Sequence, residues 1–324
     1  MNSVQDTRLQ FDGKGKDLFV IYLSNALTTI VTIGIYYFWA TVKTTKYLHQ
    51  HLIFQGHRFD FHATGKEKFI GFLKALVLFV GVYIIIALLQ WVLTVILSAQ
   101  VAAILSALLI VAVLLALIPF VIIGSRRYYL SRTSFNNIRF HFAGHPLELV
   151  KIYVPGVLLS IITFGIYTNW LTVKLQKFYM SNTYYGNASF QFEGKGLDLL
   201  LINLKGFFLT VITAGIYSSW YTANLQNYIY NHTSFNGIRL RSDLRGGRIF
   251  LLTLYSILLI LITVGIAVPW IAVRWIKLYL EAISLEVSPD LSAIRPDFDR
   301  GASPLADGME SVASLADALS NFLG

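Results

Sequence analysis

Pairs of polar residues three positions apart recur at corresponding places along this chain: Lys43 and Lys46, Lys174 and Lys177, Asn224 and Asn227, Arg274 and Lys277, with Arg127 at the matching place in a further copy. Residues three apart share one face of a helix. Set around a common axis, these faces would form a polar stripe along a pathway for an ion or polar solute. The same side chains near a helix end also snorkel to lipid head groups and set helix depth, which needs no pathway. Both readings stand at this level.

Other chemistry is thinner. His49, His51, His57 and His62 invite a metal site, but a His-x-His pair points to one side only in a strand, and no carboxylate or cysteine completes a ligand spacing. Gly13 with Gly15, and Gly194 with Gly196, lack the longer pattern of a nucleotide loop and read as turns. No Gly-x-Ser-x-Gly elbow is present, and no acidic pair lies in an apolar span. The expectation is a protein that is not an enzyme, with no catalytic residues, metal or cofactor.

The stripe residues sit just after a repeated segment. TIGIYYFW ends at Trp39, TFGIYTNW at Trp170, TAGIYSSW at Trp220 and TVGIAVPW at Trp270, and the last three tryptophans are 50 residues apart. Phe120 lies 50 residues before Trp170 and marks a further copy. Self-similarity at a fixed period signals a repeat architecture. The boundaries are 1–53, 54–134, 135–184, 185–234 and 235–287 for five repeats, with 288–324 as an acidic tail.

Composition sets the solvent. The 324 residues are 56% hydrophobic and 13% charged, about half the charged share of a soluble domain, so a membrane protein is expected. The long apolar tract from Ala75 to Gly124, with a turn near Ser98 to Gln100, has room for two helices at about 20 residues per span. No signal peptide is visible over 1–17. The net charge of +9 is spread in small groups through the repeats, which favours anionic lipid head groups as partners over nucleic acid. Cysteine is absent, which excludes disulfides and thiolate metal sites.

Each repeat divides into a polar and an apolar half. HTSFNGIRL, RTSFNNIRF and NTYYGNASF read as small β-hairpins around a tight turn. Glycine turns then lead to Asp17, Glu67, Glu148 or Asp198, where a carboxylate favours a helix start; the last copy has Arg248 there. Basic residues follow every apolar half, so each is expected to enter the membrane and return, leaving the polar halves and the tail in the cytoplasm. The bends would be Gly34, Tyr36 and Trp39; Gly165, Tyr167 and Trp170; Gly215, Tyr217 and Trp220; Gly265 and Trp270. Glycine permits the break, and Tyr and Trp favour the far interface. Arms of about 16 residues reach about 24 Å, short of a 30 Å hydrocarbon core, which implies re-entrant hairpins or a thinned bilayer. Single spans followed by interfacial helices are the alternative. In the tail, apolar residues recur at helical spacing over 303–323, a segment suited to docking on a protein partner or on the chain's own basic face.

The combination of apolar helix, Thr-x-Gly-Ile-Tyr-x-x-Trp turn, basic helix and Phe-x-Gly hairpin over residues 8–287 resembles the YjgN-like family of bacterial inner-membrane proteins. The resemblance implies a multi-pass protein of the bacterial inner membrane and, the family being of unknown function, supplies no active-site residues. Phe120 in the second copy, and Ala267 with Pro269 in the last, depart from the pattern. The expected fold is an α-helical polytopic membrane protein with small β-hairpins, the second repeat carrying a full transmembrane hairpin. The expected role is channel- or transporter-like; the alternative is a structural, lipid-handling or scaffold protein that shapes the bilayer or recruits a partner.

Overall fold

A computed structural model describes residues 7–296. The tail segment 303–323 lies outside the described residues. The described chain is mostly helical, with ten α-helices and ten strands in a recurring order of helix, helix, strand, strand.

The first helix of each pair starts from a loop and is very apolar. These are α1 (Gly15–Val31), α3 (Gly65–Ile96), α5 (Pro146–Ile162), α7 (Gly196–Ile212) and α9 (Gly246–Thr263). Asp17, Glu67, Glu148 and Asp198 stand in the first turns of the first four, where they complement the helix dipole, and α9 has no acid there. The returning helices are α2 (Tyr37–Gln50), α4 (Ala99–Arg132), α6 (Thr168–Ser181), α8 (Ser218–Asn231) and α10 (Val268–Leu280). Among the described residues three helices are long and apolar enough, by length and composition, to cross a membrane: α3, α4 and α9.

Four of the bends share one hydrogen-bond pattern. The Thr32 hydroxyl donates to the Thr28 carbonyl and accepts the Tyr36 N–H, and Thr163, Thr213 and Thr263 do the same at the α5–α6, α7–α8 and α9–α10 bends. The Gly34 N–H reaches back to the Thr29 carbonyl and the Ile33 N–H to Ile30, which is the double closure of a Schellman helix end. The residue that takes the left-handed conformation ahead of the glycine in that motif is here Ile33, Phe164, Ala214 or Val264, with φ between 48° and 51°. Glycine is thus only part of the break that the sequence suggests, since Gly34 also has positive φ but follows a side chain in the less favourable conformation.

The strands are β1 (Gln10–Phe11), β2 (Leu52–Phe54), β3 (His57–Phe61), β4 (Thr133–Phe135), β5 (Ile138–Phe142), β6 (Thr183–Tyr185), β7 (Ala188–Phe192), β8 (Thr233–Phe235), β9 (Ile238–Ser242) and β10 (Ile283–Leu285). They pair antiparallel in chain order, and Arg8 bridges Ser284 while the Leu9 N–H reaches the Ile283 carbonyl. The first strand therefore meets the last and the sheet closes on itself, leaving no long edge. Three of the tight turns, Gln55 with Gly56, Asn136 with Asn137 and Asn236 with Gly237, have positive φ at both residues, as turns matched to strand twist require, and at the fourth Gly186 has it.

Period-two alternation sends one face of this small barrel inward. Phe54, Phe59, Phe135, Phe140, Tyr185, Phe190, Phe235, Leu240 and Leu285 meet in one cluster, so the barrel interior is filled by side chains. Arg58, Arg139, Arg239 and Arg241 lie on the exposed alternate positions. At the turn end, the short 3-10 helix Leu291–Ala293 and Ile294 pack on the same cluster. Gln55 donates to Ser288 and Pro289, and Asn187 exchanges hydrogen bonds with Arg295, so this strap crosses the barrel mouth.

The helices also close. Each first helix lies between its own partner and the returning helix before it, and α1 packs on both α2 and α10. A ring of helix pairs thus stands on the barrel.

Candidate functional site

The stripe candidates divide into two columns with different surroundings. Lys43, Lys174, Asn224 and Arg274 are exposed on their helices. Lys43 donates to the Ser24 hydroxyl at 3.3 Å, Lys174 to the Tyr167 hydroxyl at 2.8 Å, and the Arg274 guanidinium lies over the Tyr255 ring, so three of the four lean on the first helix of their own pair or on its bend.

The second column is mixed. Lys46 and Lys177 are exposed, and Lys277 lines a small cleft with Arg8, Arg245, Arg248 and Glu281. Arg127 is buried and donates to the Gly144 carbonyl at 3.0 Å. Asn227 donates to the Leu244 carbonyl and accepts from the Leu244 N–H and the Ser242 hydroxyl. Arg127 and Asn227 therefore hold the loop that feeds the next first helix. The structure does not bring the nine side chains together at a single locus.

The bend residues fall into two groups. Gly34, Gly165, Gly215 and Gly265 lie in open space with positive φ. Tyr36 stacks on Trp39, Tyr167 on Trp170 and Tyr217 on Trp220. The tryptophans are also packing residues between neighbouring pairs: Trp39 covers Gly65, Trp170 covers Gly196, Trp220 covers Gly246, and Trp270 returns to cover Gly15. A Cβ at Gly246 would lie 2.5 Å from the Trp220 Cα, so only glycine allows this approach.

Around the glycines, the bends are strongly apolar and open. Ile33 is 94% exposed, Phe164 97% and Val264 90%. Ile30, Val31, Ile161, Ile162, Val211, Ile212, Leu261 and Ile262 in the preceding turns are exposed as well. The corresponding turn between α3 and α4 instead carries Ser98 and Gln100.

A position that sequence reasoning passed over sits fourteen residues ahead of each Trp or Phe marker: Asn25, Ser106, Gly156, Gly206 and Ser256. All five are buried. The Asn25 amide donates to the Ala40 carbonyl, the Ser256 hydroxyl accepts from the Trp275 indole, and a Cβ on Gly156 or Gly206 would strike Leu171 or Tyr221. Small or hydrogen-bonding residues here let the two helices of a pair approach. Register against the Trp marker was the signal that would have found them.

In the strand layer, Asp12 accepts two hydrogen bonds from the Arg58 guanidinium, which hold its carboxyl below the usual value. Burial pushes the Tyr185 phenol up to about 12, and its hydroxyl donates to the Phe135 carbonyl at 2.9 Å. Among the described residues no group of three or more His, Asp or Glu side chains is placed to hold a metal ion. A groove of about 450 Å³ lies between α5 and α6, lined by Lys151, Lys174 and Lys177 together with mostly apolar side chains.

The sequence matches a family described as "Bacterial protein of unknown function (DUF898)" over residues 6–218 and again over 207–312. It is 27% identical over 170 residues to the inner membrane protein YjgN of Salmonella typhimurium, a match covering 49% of this chain and 40% of that protein. It is 34% identical over 132 residues to the protein of the same name from Escherichia coli O157:H7, covering 41% of this chain and 30% of the relative. The match thus spans less than half the length of these curated relatives. No solved structure matches.

Proposed function

The chain belongs to the YjgN-like family of bacterial inner-membrane proteins, and on that premise we propose that it works on the bilayer itself, as a non-enzymatic lipid-handling and membrane-shaping protein. We read the described elements as five units, four short hairpins and one long one, standing on a barrel that faces the cytoplasm. The long hairpin crosses the hydrocarbon and the short ones stop inside it; α9, the longest arm among them, reaches about 27 Å, and its partner α10 only about 20 Å.

The observation that carries this reading is the apolar bend. A hairpin that crossed fully would put its bend in the far aqueous interface, yet Ile33, Phe164 and Val264 stand almost wholly exposed there. Each is also held in a backbone conformation that costs about 1–2 kcal/mol for a side-chain-bearing residue, so the bend gives up stability to point an apolar group outward. Arm length agrees. At 1.5 Å per residue, the 17 residues of α1 reach about 25 Å and the 14 of α6 about 21 Å, whereas the 32 of α3 reach about 48 Å against a core of about 30 Å. Short inserts make the lipid thin or tilt around them. The arginines on the outer strand positions fit the positive-inside bias for a cytoplasmic barrel.

Single cysteines at Ile33, Phe164, Val264 and Ser98, in an otherwise cysteine-free chain, test it with a hydrophilic thiol reagent applied from each side. Ser98→Cys is expected to react from outside and the three bends from neither side. Reaction of the bends from outside would sink the reading.

A transport role is the second reading, favoured by the exposed first column of Lys43, Lys174, Asn224 and Arg274. Any such path would have to leave sideways above the barrel, because aromatic side chains fill the barrel interior. Unchanged solute flux in liposomes after alanine replacement of Lys43, Lys46, Lys174 and Lys177 would remove it. Docking of the tail over 303–323 on a partner remains a proposal with its own test, recovery of that partner by the full chain and its loss on removing 288–324.

A further inference from the structure

The α5–α6 pair differs from the other short pairs in charge. Lys151 stands three residues after the first-turn acid Glu148, and the matching places after Asp17, Glu67, Asp198 and, in the last copy, Arg248 hold Val20, Ile70, Leu201 and Leu251. It joins Lys174 and Lys177 around the groove of about 450 Å³, and the lining contains no carboxylate. None of the three lysines is in an ion pair among the described residues. Lys174 gives one hydrogen to the Tyr167 hydroxyl and keeps two ammonium hydrogens for another acceptor. Three exposed ammonium groups gathered around one recess with no carboxylate in its lining make the local potential positive and attract an anion.

Apart from Tyr167 and Ser181 the remaining side chains of the lining are apolar: Ile152, Pro155, Leu159 and Phe178. Leu159 is exposed and leads on to Ile161, Ile162 and Phe164 at the bend, all exposed too. A soluble anion makes no use of such a wall, whereas an acyl chain does, at about 0.8 kcal/mol per buried CH₂. We propose that the α5–α6 groove holds one anionic phospholipid, its phosphate on Lys151, Lys174 and Lys177 and a chain along Ile152, Pro155 and Leu159. The site rests on the bilayer reading above and gives it a ligand class.

Native mass spectrometry of the full-length protein in detergent, titrated separately with phosphatidylglycerol, phosphatidylcholine and soluble glycerol 3-phosphate, tests the assignment. The wild type should retain phosphatidylglycerol at least about tenfold better than phosphatidylcholine, taking a few-fold per lysine. Lys151→Gln with Lys174→Gln and Lys177→Gln should abolish that preference, while Lys43→Gln with Lys46→Gln on the α1–α2 pair should leave it intact. Should the triple variant fail to fold, the exposed Lys151→Gln alone is expected to lower retention about threefold. Equal retention by the lysine variants overturns the site, as does equal loss in the α1–α2 control. Displacement of the lipid by equimolar glycerol 3-phosphate would show a soluble-phosphate site and overturns the lipid. Loss of the preference with bends silent to thiol reagent breaks this site and leaves the bilayer reading intact; labelled bends with the preference retained do the reverse.

Discussion

Phe135 and Phe164 belong to the same residue type and to opposite solutions. Phe135 is 3% exposed inside the barrel, where Phe54, Phe59 and Tyr185 surround it. Phe164 is 97% exposed at a bend and sits at φ 51°, where a side chain is disfavoured. The barrel follows the rule for water: apolar groups inside, arginines outside, every strand paired. The bends invert it, and among the described residues nothing covers the exposed ring. On the reading proposed above lipid covers it, and the comparison then teaches that the molecule is built for two media, with the boundary between barrel and helices.

The comparison breaks most readily at its largest expected difference. Phe135→Ala should lower stability by about 3–5 kcal/mol through the cavity it leaves in the barrel, whereas Phe164→Ala in detergent should stay within about 0.5 kcal/mol. Thermal unfolding followed by near-ultraviolet circular dichroism measures both, and similar losses would end the distinction. At the join between neighbouring helix pairs, Gly246→Ala should cost about 1–3 kcal/mol because the added methyl meets the Trp220 backbone; a neutral result would mean that the pairs are not packed through this contact.

A smaller effect sharpens the account of the bends. Ile33→Gly and Val264→Gly should each stabilise the detergent-solubilised protein by up to about 1 kcal/mol by removing left-handed strain, partly offset by the freedom glycine gains on unfolding. In liposomes the same variants should bring a bend-attached fluorophore closer to water, read by aqueous quencher. Deeper insertion would contradict the inserted-tip picture. The least effect is expected in the barrel's water-facing layer. Asp12 is bound to Arg58 and its folded pKa is depressed, so the stability it adds is present above the unfolded value of about 3.9 and disappears as pH falls through the lower folded value. Both side chains are about half exposed, which limits the contribution to under about 1 kcal/mol. Asp12→Asn should remove that acid-side slope and leave stability near neutrality slightly lower.

Much of the local structure was legible. The apolar tract from Ala75 to Gly124 is long enough that it has no soluble alternative, and α3 and α4 occupy it with their break at Leu97 and Ser98. Asn236 and Gly237 tolerate positive φ, and a turn is where they stand. The acids Asp17, Glu67, Glu148 and Asp198 sit in first helical turns because the dipole favours them there. The candidate site was less legible. Spacing of three placed Lys43 with Lys46 and Asn224 with Asn227 on common faces, but periodicity says nothing of what that face meets. Arg127 and Asn227 turn out to hold backbone carbonyls of the following loop, and the lysine groove draws Lys151 from a different helix.

The sequence by itself determined the two solvents and the local rules: which stretches are apolar enough for lipid, where threonine and glycine end a helix, where a strand alternates. These depend on side chains within a few residues of one another. Closure was decided only by tertiary structure. Nothing in the order of residues says that Arg8 will bridge Ser284, that α1 will pack on α10, or that Trp270 will cover Gly15. Units with like edges stack into an open array or a ring according to the small rotation between neighbours. That angle is set by how closely helices and strands approach, at Gly246 against Trp220 and at the buried place shared by Asn25, Ser106, Gly156, Gly206 and Ser256, and it accumulates around the molecule until the first strand meets the last.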